Sequence, residues 1–129
     1  MAKAISQRKL DSIRREWQEK LRLQDWRISS KFVPQSDINE QTNTDDSVGY
    51  CRHMDETKTA KIGVLRPEDY KDYHDPRSKD IENTIVHELL HCHMGVFYDD
   101  TRAVQVKVEQ IIEIVTEALL NEKRRKTSK

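Results

Sequence analysis

Net charge is the first thing this chain lacks: Lys+Arg and Asp+Glu balance at 23 each, for a formal charge of zero. A dedicated nucleic-acid binder normally carries a basic surplus, so this balance, with no obvious basic face in the sequence, counts against that class. No apolar run approaches the ~20 residues a bilayer-spanning helix needs. The opening MAKAISQRKLDSIRREW has no apolar core of a secretory signal. Cysteine is scarce as well. Cys51 and Cys92 are the only two and neither belongs to a Cys-x-x-Cys pair, which favours reduced thiols in a cytoplasmic protein over a disulfide. Without repeats, low-complexity blocks or a composition shift, residues 1–129 read as a single domain. The basic stretch NEKRRKTSK, residues 121–129, reads as a flexible solvated tail.

With 36% charged and 35% hydrophobic residues, the core must be economical, and its periodicity names the elements. Leu10, Ile13, Trp17 and Leu21 share one face of a helix predicted over 5–23. Trp26, Ile28 and Phe32 alternate with Arg27, Ser29 and Lys31 as in a half-buried strand that Pro34 ends. The polar stretch 34–47 reads as a loop. Two strands follow, one alternating through Val48, Tyr50, Arg52 and Met54, the other through Ala60, Ile62 and Val64. Asp55–Lys58 between them suits a tight turn, although it lacks an Asn-Gly or Asp-Gly pair. After a second polar loop, a helix starting near Asp75-Pro76 or Ser78 should stop at Gly95. The last helix, 102–124, has Val104, Val108, Ile111, Ile112, Val115 and Leu119 along one side. This order implies a small α+β domain with a short three-stranded sheet packed on helices.

Within the third helix, NTIVHELLHCHMG holds three of the five histidines. His87 and His91 lie one turn apart on one face, so their ring nitrogens can converge on a single ion. Glu88 lies beside that face and can reach solvent held at the ion, the physical content of His-Glu-x-x-His in zinc hydrolases. The bland alternative is a chance grouping. Against it, Ile81, Ile85, Leu89 and Cys92 flank one side and Val86, Leu90 and Met94 the other. That leaves only the strip of Thr84, His87, Glu88 and His91 polar, and a buried helix should not aim ionisable groups inward without a partner. Zinc would be that partner. His93, roughly 200° round from His91, cannot join the ion and reads as an ordinary satisfied histidine.

A catalytic zinc site needs a third protein ligand. The final helix offers Glu109, Glu113 and Glu117 at successive turns. From the centre of the apolar stripe expected there, Glu109 is rotated by roughly 110° and Glu113 by roughly 150°, with Glu117 pointing away. Glu109 is therefore the best-placed third ligand. Glu113 is the alternative, or a carboxylate that fixes an imidazole from behind.

HELLH completed by a glutamate on the next helix resembles the gluzincin metallopeptidases, though the spacer here is shorter than usual for them. The small size is similar to the minigluzincins. Closer still is the likeness to small zinc-peptidase-like proteins of phages and mobile elements, through Trp26-Arg27-Ile28, Ala60-Lys61-Ile62, His87–His91 and Glu109-Gln110-Ile111-Ile112-Glu113 in that order. HELLH is the one sharp motif among these. The resemblance implies a zincin-like fold and peptide hydrolysis, with His87, His91 and Glu109 on zinc and Glu88 as general base. It implies an extended peptide or protein substrate along a sheet edge, for which strand 59–65 is the expected edge. Tyr70, Tyr73, His74 and Arg66 are candidates to stabilise the oxyanion, against the simpler reading that they are ordinary loop residues. Loops 34–47 and 66–80 are expected to shape the cleft. Two rivals remain: a zinc-binding adaptor or inhibitor without turnover, and a DNA-linked protease or metal-dependent endonuclease.

Overall fold

A computed structural model describes residues 5–95 and 101–127. Helix α1 (Gln7–Lys20) is followed by strand β1 (Arg27–Val33), helix α2 (Gln35–Thr42), strands β2 (Gly49–Met54) and β3 (Thr59–Leu65), a 3-10 turn at Pro67–Asp69, and helices α3 (Ile81–Met94) and α4 (Arg102–Thr127). The three strands form one mixed sheet in the order β1-β3-β2, parallel between β1 and β3 and antiparallel between β3 and β2. This is the expected α+β domain. No helix among the described residues is long and apolar enough to cross a membrane.

The core lies between the sheet and the helices. Leu10, Ile13 and Trp17 of α1 and Ile85, Val86 and Leu89 of α3 meet Ala60, Ile62 and Val64 of the central strand. Helix α3 touches α1, α4, β2 and β3, so its motif is held from four sides. Its start departs from expectation. Asp75 is spent on a local turn, accepting from the Ser78 amide at 2.7 Å. Asp80 instead caps α3 by accepting from Asn83 N, and the helix begins at Ile81. It ends before Gly95, as expected.

Four further departures matter. Part of 34–47 is helical, because Ile38, the one large apolar residue there before Val48, is fully buried against Val33 and Leu65. Asn43, in the left-handed conformation at φ 57°, closes the helix. Strand 59–65 is the central strand, hydrogen-bonded on both sides, so it offers no edge; the edge beside α3 is β2. On β2 the alternation runs opposite to expectation. Gly49, Cys51 and His53 share register rows with the buried Val64, Ile62 and Ala60, while Arg52 and Met54 point away from the helices. Met54 is 60% exposed.

The last departure is on α4. Its buried stripe is Val108, Ile112, Thr116 and Leu120, while Ile111 and Val115 are exposed at its margin. Thr116 packs inward where Val115 was expected, so the stripe is rotated. Glu109 then lies about 40° from its centre and Glu113 about 80°. Lys123 sits at the centre, bonded to Glu82 and, at 3.0 Å, to Glu16, and Arg124 reaches Asp80 at 2.7 Å. Residues 121–127 of the expected flexible tail thus continue α4 as ion-paired helix; residues 128 and 129 lie outside the described residues.

Candidate metal centre

The helical repeat of α3 sets His87 and His91 side by side, ring centroids 5.4 Å apart. The rotated stripe of α4 brings Glu109 against both. His87 Nε2 lies 3.1 Å from Glu109 Oε2, and His91 Nε2 lies 2.8 Å from Glu109 Oε1. The ligand atoms of these three residues lie within 4.8 Å of one another. Four-coordinate zinc with bonds of 2.0–2.2 Å holds its donors about 3.4 Å apart. Donor separations under 4.8 Å are of the scale that such an ion spans. Two imidazoles and one carboxylate, with a side left to the cleft, are a donor set that could hold a divalent ion.

The electrostatics agree. Partial burial works to raise the Glu109 carboxyl, but hydrogen bonds from His87 and His91 overcome it and hold the group far below the ordinary carboxylate range. Burial works to lower His87, and the Glu109 hydrogen bond with the charges of Glu88, Glu109 and Glu113 outweighs it, so His87 is raised. Glu88 is buried and forms no hydrogen bond or ion pair with a described residue. Burial pushes its carboxyl up, against the pull of His87 and His91. A buried carboxylate without a hydrogen bond among the described residues has its proton affinity raised.

These groups line a cleft of about 660 Å³ between β2, the loop before it, the loop before α3, and helices α3 and α4. Gly49 sets its width. A Cβ on Gly49 would come within 2.7 Å of Thr84 Cγ2 and 3.1 Å of Glu88 Oε2, so only glycine lets the edge strand approach Glu88 this closely.

Glu113 stands one turn beyond Glu109 on the cleft wall, exposed, and hydrogen-bonds to neither imidazole. Glu117 faces away, near Arg77. His93 leaves the site, its Nε2 2.5 Å from the Leu21 carbonyl. Of the four candidates for the oxyanion, none lines the cleft. Tyr70 packs under α2, His74 is buried with Nδ1 accepting from the Lys71 amide, Tyr73 is exposed, and Arg66 pairs with Asp69. The group that sequence reasoning missed is His53, which lines the cleft from β2 with Nδ1 3.0 Å from Asp55 Oδ1. Counting the β2 alternation from Gly49 instead of Val48 would have found it.

Cys51 also lines the cleft. Its Sγ lies 3.9 Å from that of Cys92, and both are free thiols. Contact with the Cys92 thiol, then burial, pushes the Cys51 thiol far above its ordinary range. It is a poor nucleophile at neutral pH.

Comparison of the chain with protein-family models, curated proteins and solved structures returned no match.

Proposed function

We propose that the protein is a small zinc-dependent endopeptidase of gluzincin-like design. The observation that carries this reading is the convergence of His87, His91 and Glu109 within 4.8 Å, beside the buried, unpartnered Glu88 and at the wall of a cleft bordered by the edge strand β2. His87, His91 and Glu109 would hold the ion. Zinc there would supply Lewis acidity, lowering the pKa of coordinated water to about 7 and polarising a carbonyl.

The chain's own groups do the rest. Glu88 takes the proton of the attacking water and delivers it to the leaving amine. An extended peptide pairs with the free edge of β2, which gains main-chain hydrogen bonds and fixes the peptide's direction. His53, whose Nδ1–H donates to Asp55, would offer its other nitrogen as a donor to the developing oxyanion in its imidazolium form. The free thiols suit a reducing, cytoplasmic setting.

The test is to incubate the zinc-loaded protein with a cell proteome and identify new peptide N-termini, with Glu88→Gln as control. New termini that vanish in Glu88→Gln, while that variant keeps stoichiometric zinc, are the expected result. Zinc binding without any cleavage by the native protein would leave a non-catalytic adaptor in its place.

A further inference from the structure

The outer face of the sheet, away from α1 and α3, has chemistry that the cleft does not use. α2 covers one end of it through Ile38, Val33 and Leu65. The rest is open. Register places Ser29, Lys61 and Arg52 in one row across the strands, Arg27, Thr59 and Met54 in the next, and Lys31, Gly63 and Tyr50 on the other side. Arg27, Lys31, Arg52 and Lys61 are all exposed, and none forms an ion pair or side-chain hydrogen bond with a described residue. No acid lies in these three rows. The marginal acids Asp25 and Asp55 are bound to Lys58 and His53. Glu56 sits in the hairpin turn beyond one end, and Asp37 of α2 bears on Tyr50 at the other. The strands shape a concavity of about 630 Å³ over Arg27, Arg52, Met54 and Lys61.

We infer that this face binds the backbone of single-stranded nucleic acid, independently of whether the cleft is a peptidase. Strand spacing of ~4.8 Å and a rise of ~3.3 Å per residue spread the four cations over an array of roughly 10 by 13 Å. Such an array matches a few nucleotides of a chain that carries a charge at every unit. An acidic polypeptide fits less well. The main-chain groups of a sheet point along its plane, so a peptide on the face gains none of the ladder bonds it would gain at an edge. The exposed Met54 adds apolar surface for a splayed base. The neutral composition concealed this face, because the balancing acids Glu88, Glu109, Glu113, Asp46 and Asp75 line the cleft on the other side.

The test is fluorescence anisotropy of a labelled thymidine oligomer of about 20 nucleotides with the full chain at roughly 50 mM salt. Binding should weaken with salt at a log–log slope of about −3, from ~0.7 per cation over four cations. Arg52→Ser with Lys61→Ser should weaken it by about ten-fold or more and halve the slope, at unchanged Tm. Should that pair disturb folding, Arg27→Ser with Lys31→Ser must give the same loss. Absence of salt-sensitive binding, or binding undiminished in both double variants, would overturn the proposal. Tighter binding of polyglutamate than of the oligomer would overturn it in favour of an acidic protein partner, and tighter binding of the corresponding duplex would overturn the single-stranded assignment.

Discussion

The inner and outer sides of β2 differ by one residue of register and by the whole of their chemistry. Gly49, Cys51 and His53 lie on the helix side, at a cleft holding Glu88, Glu109 and Glu113. Tyr50, Arg52 and Met54 lie on the other, with Arg27, Lys31 and Lys61 as neighbours and no acid among them. Inside, burial acts on Glu88 and hydrogen bonds join Glu109 to His87 and His91, so the pKa values of Glu88, His87 and Glu109 move. The cations outside stand apart in water, where like charges at such distances repel weakly but add to one potential. A sheet three strands wide thus separates a cleft of buried, interacting ionisable groups from an open face of separate cations.

Perturbing one side should leave the other untouched. The largest effect is expected for Glu88→Gln, which should reduce peptide hydrolysis by ~10²–10⁴-fold while oligonucleotide affinity stays constant; parallel loss of both would tie the two sides together. Next, zinc titration should show Glu109→Ala weakening the metal more than ~100-fold, beyond what loss of a supporting carboxylate costs, and Glu113→Ala by under ~10-fold. The reverse ranking would make Glu113 the ligand. Gly49→Ala, forced against Thr84 and Glu88, should cost about 1–3 kcal/mol in urea unfolding and lower turnover as β2 is pushed from α3.

A smaller effect tests the frame behind the cleft. Burial works to raise the Glu82 carboxyl, but Lys123, Trp17 and Arg124 together hold it below its ordinary range. A carboxyl depressed on folding stabilises above its unfolded pKa, and the contribution is lost as pH falls through the lower folded value. Lys123→Met should therefore destabilise by about 1 kcal/mol at neutral pH, with the gap from native protein closing in acid. A gap constant down to pH 2 would be incompatible with this linkage. The smallest change is expected for Lys61→Ser, within about 0.5 kcal/mol in stability and with no effect on hydrolysis, since its side chain is exposed and forms no hydrogen bond or ion pair with a described residue.

Local pattern carried much of this molecule. The 3-4 spacing of Leu10, Ile13 and Trp17 marks the buried face of α1, and Ala60, Ile62 and Val64 mark the inner face of β3. His87 and His91 needed only the pitch of a helix to be set side by side. Where reading failed, competing residues of similar polarity left the choice to packing. Val48 and Tyr50 suggested one face of β2, but they pack, partly buried, on the outer side around Ile38 of α2. On α4, four apolar residues, Ile111, Ile112, Ile114 and Val115, stand close together, and sequence could not tell which of them a neighbour would cover. Thr116 is buried and Val115 exposed, a choice made by the packing of α4 on α3.

The sequence by itself determined the two imidazoles and the adjacent carboxylate on one helix, because 3.6 residues per turn is a property of the backbone and needs no partner. Only the tertiary structure decided that Glu109 meets them, that β2 rather than β3 is the free edge, and that four cations share an open face. Those depend on how one element is rotated against another, which follows from burial summed over the whole core rather than from any local run of residues.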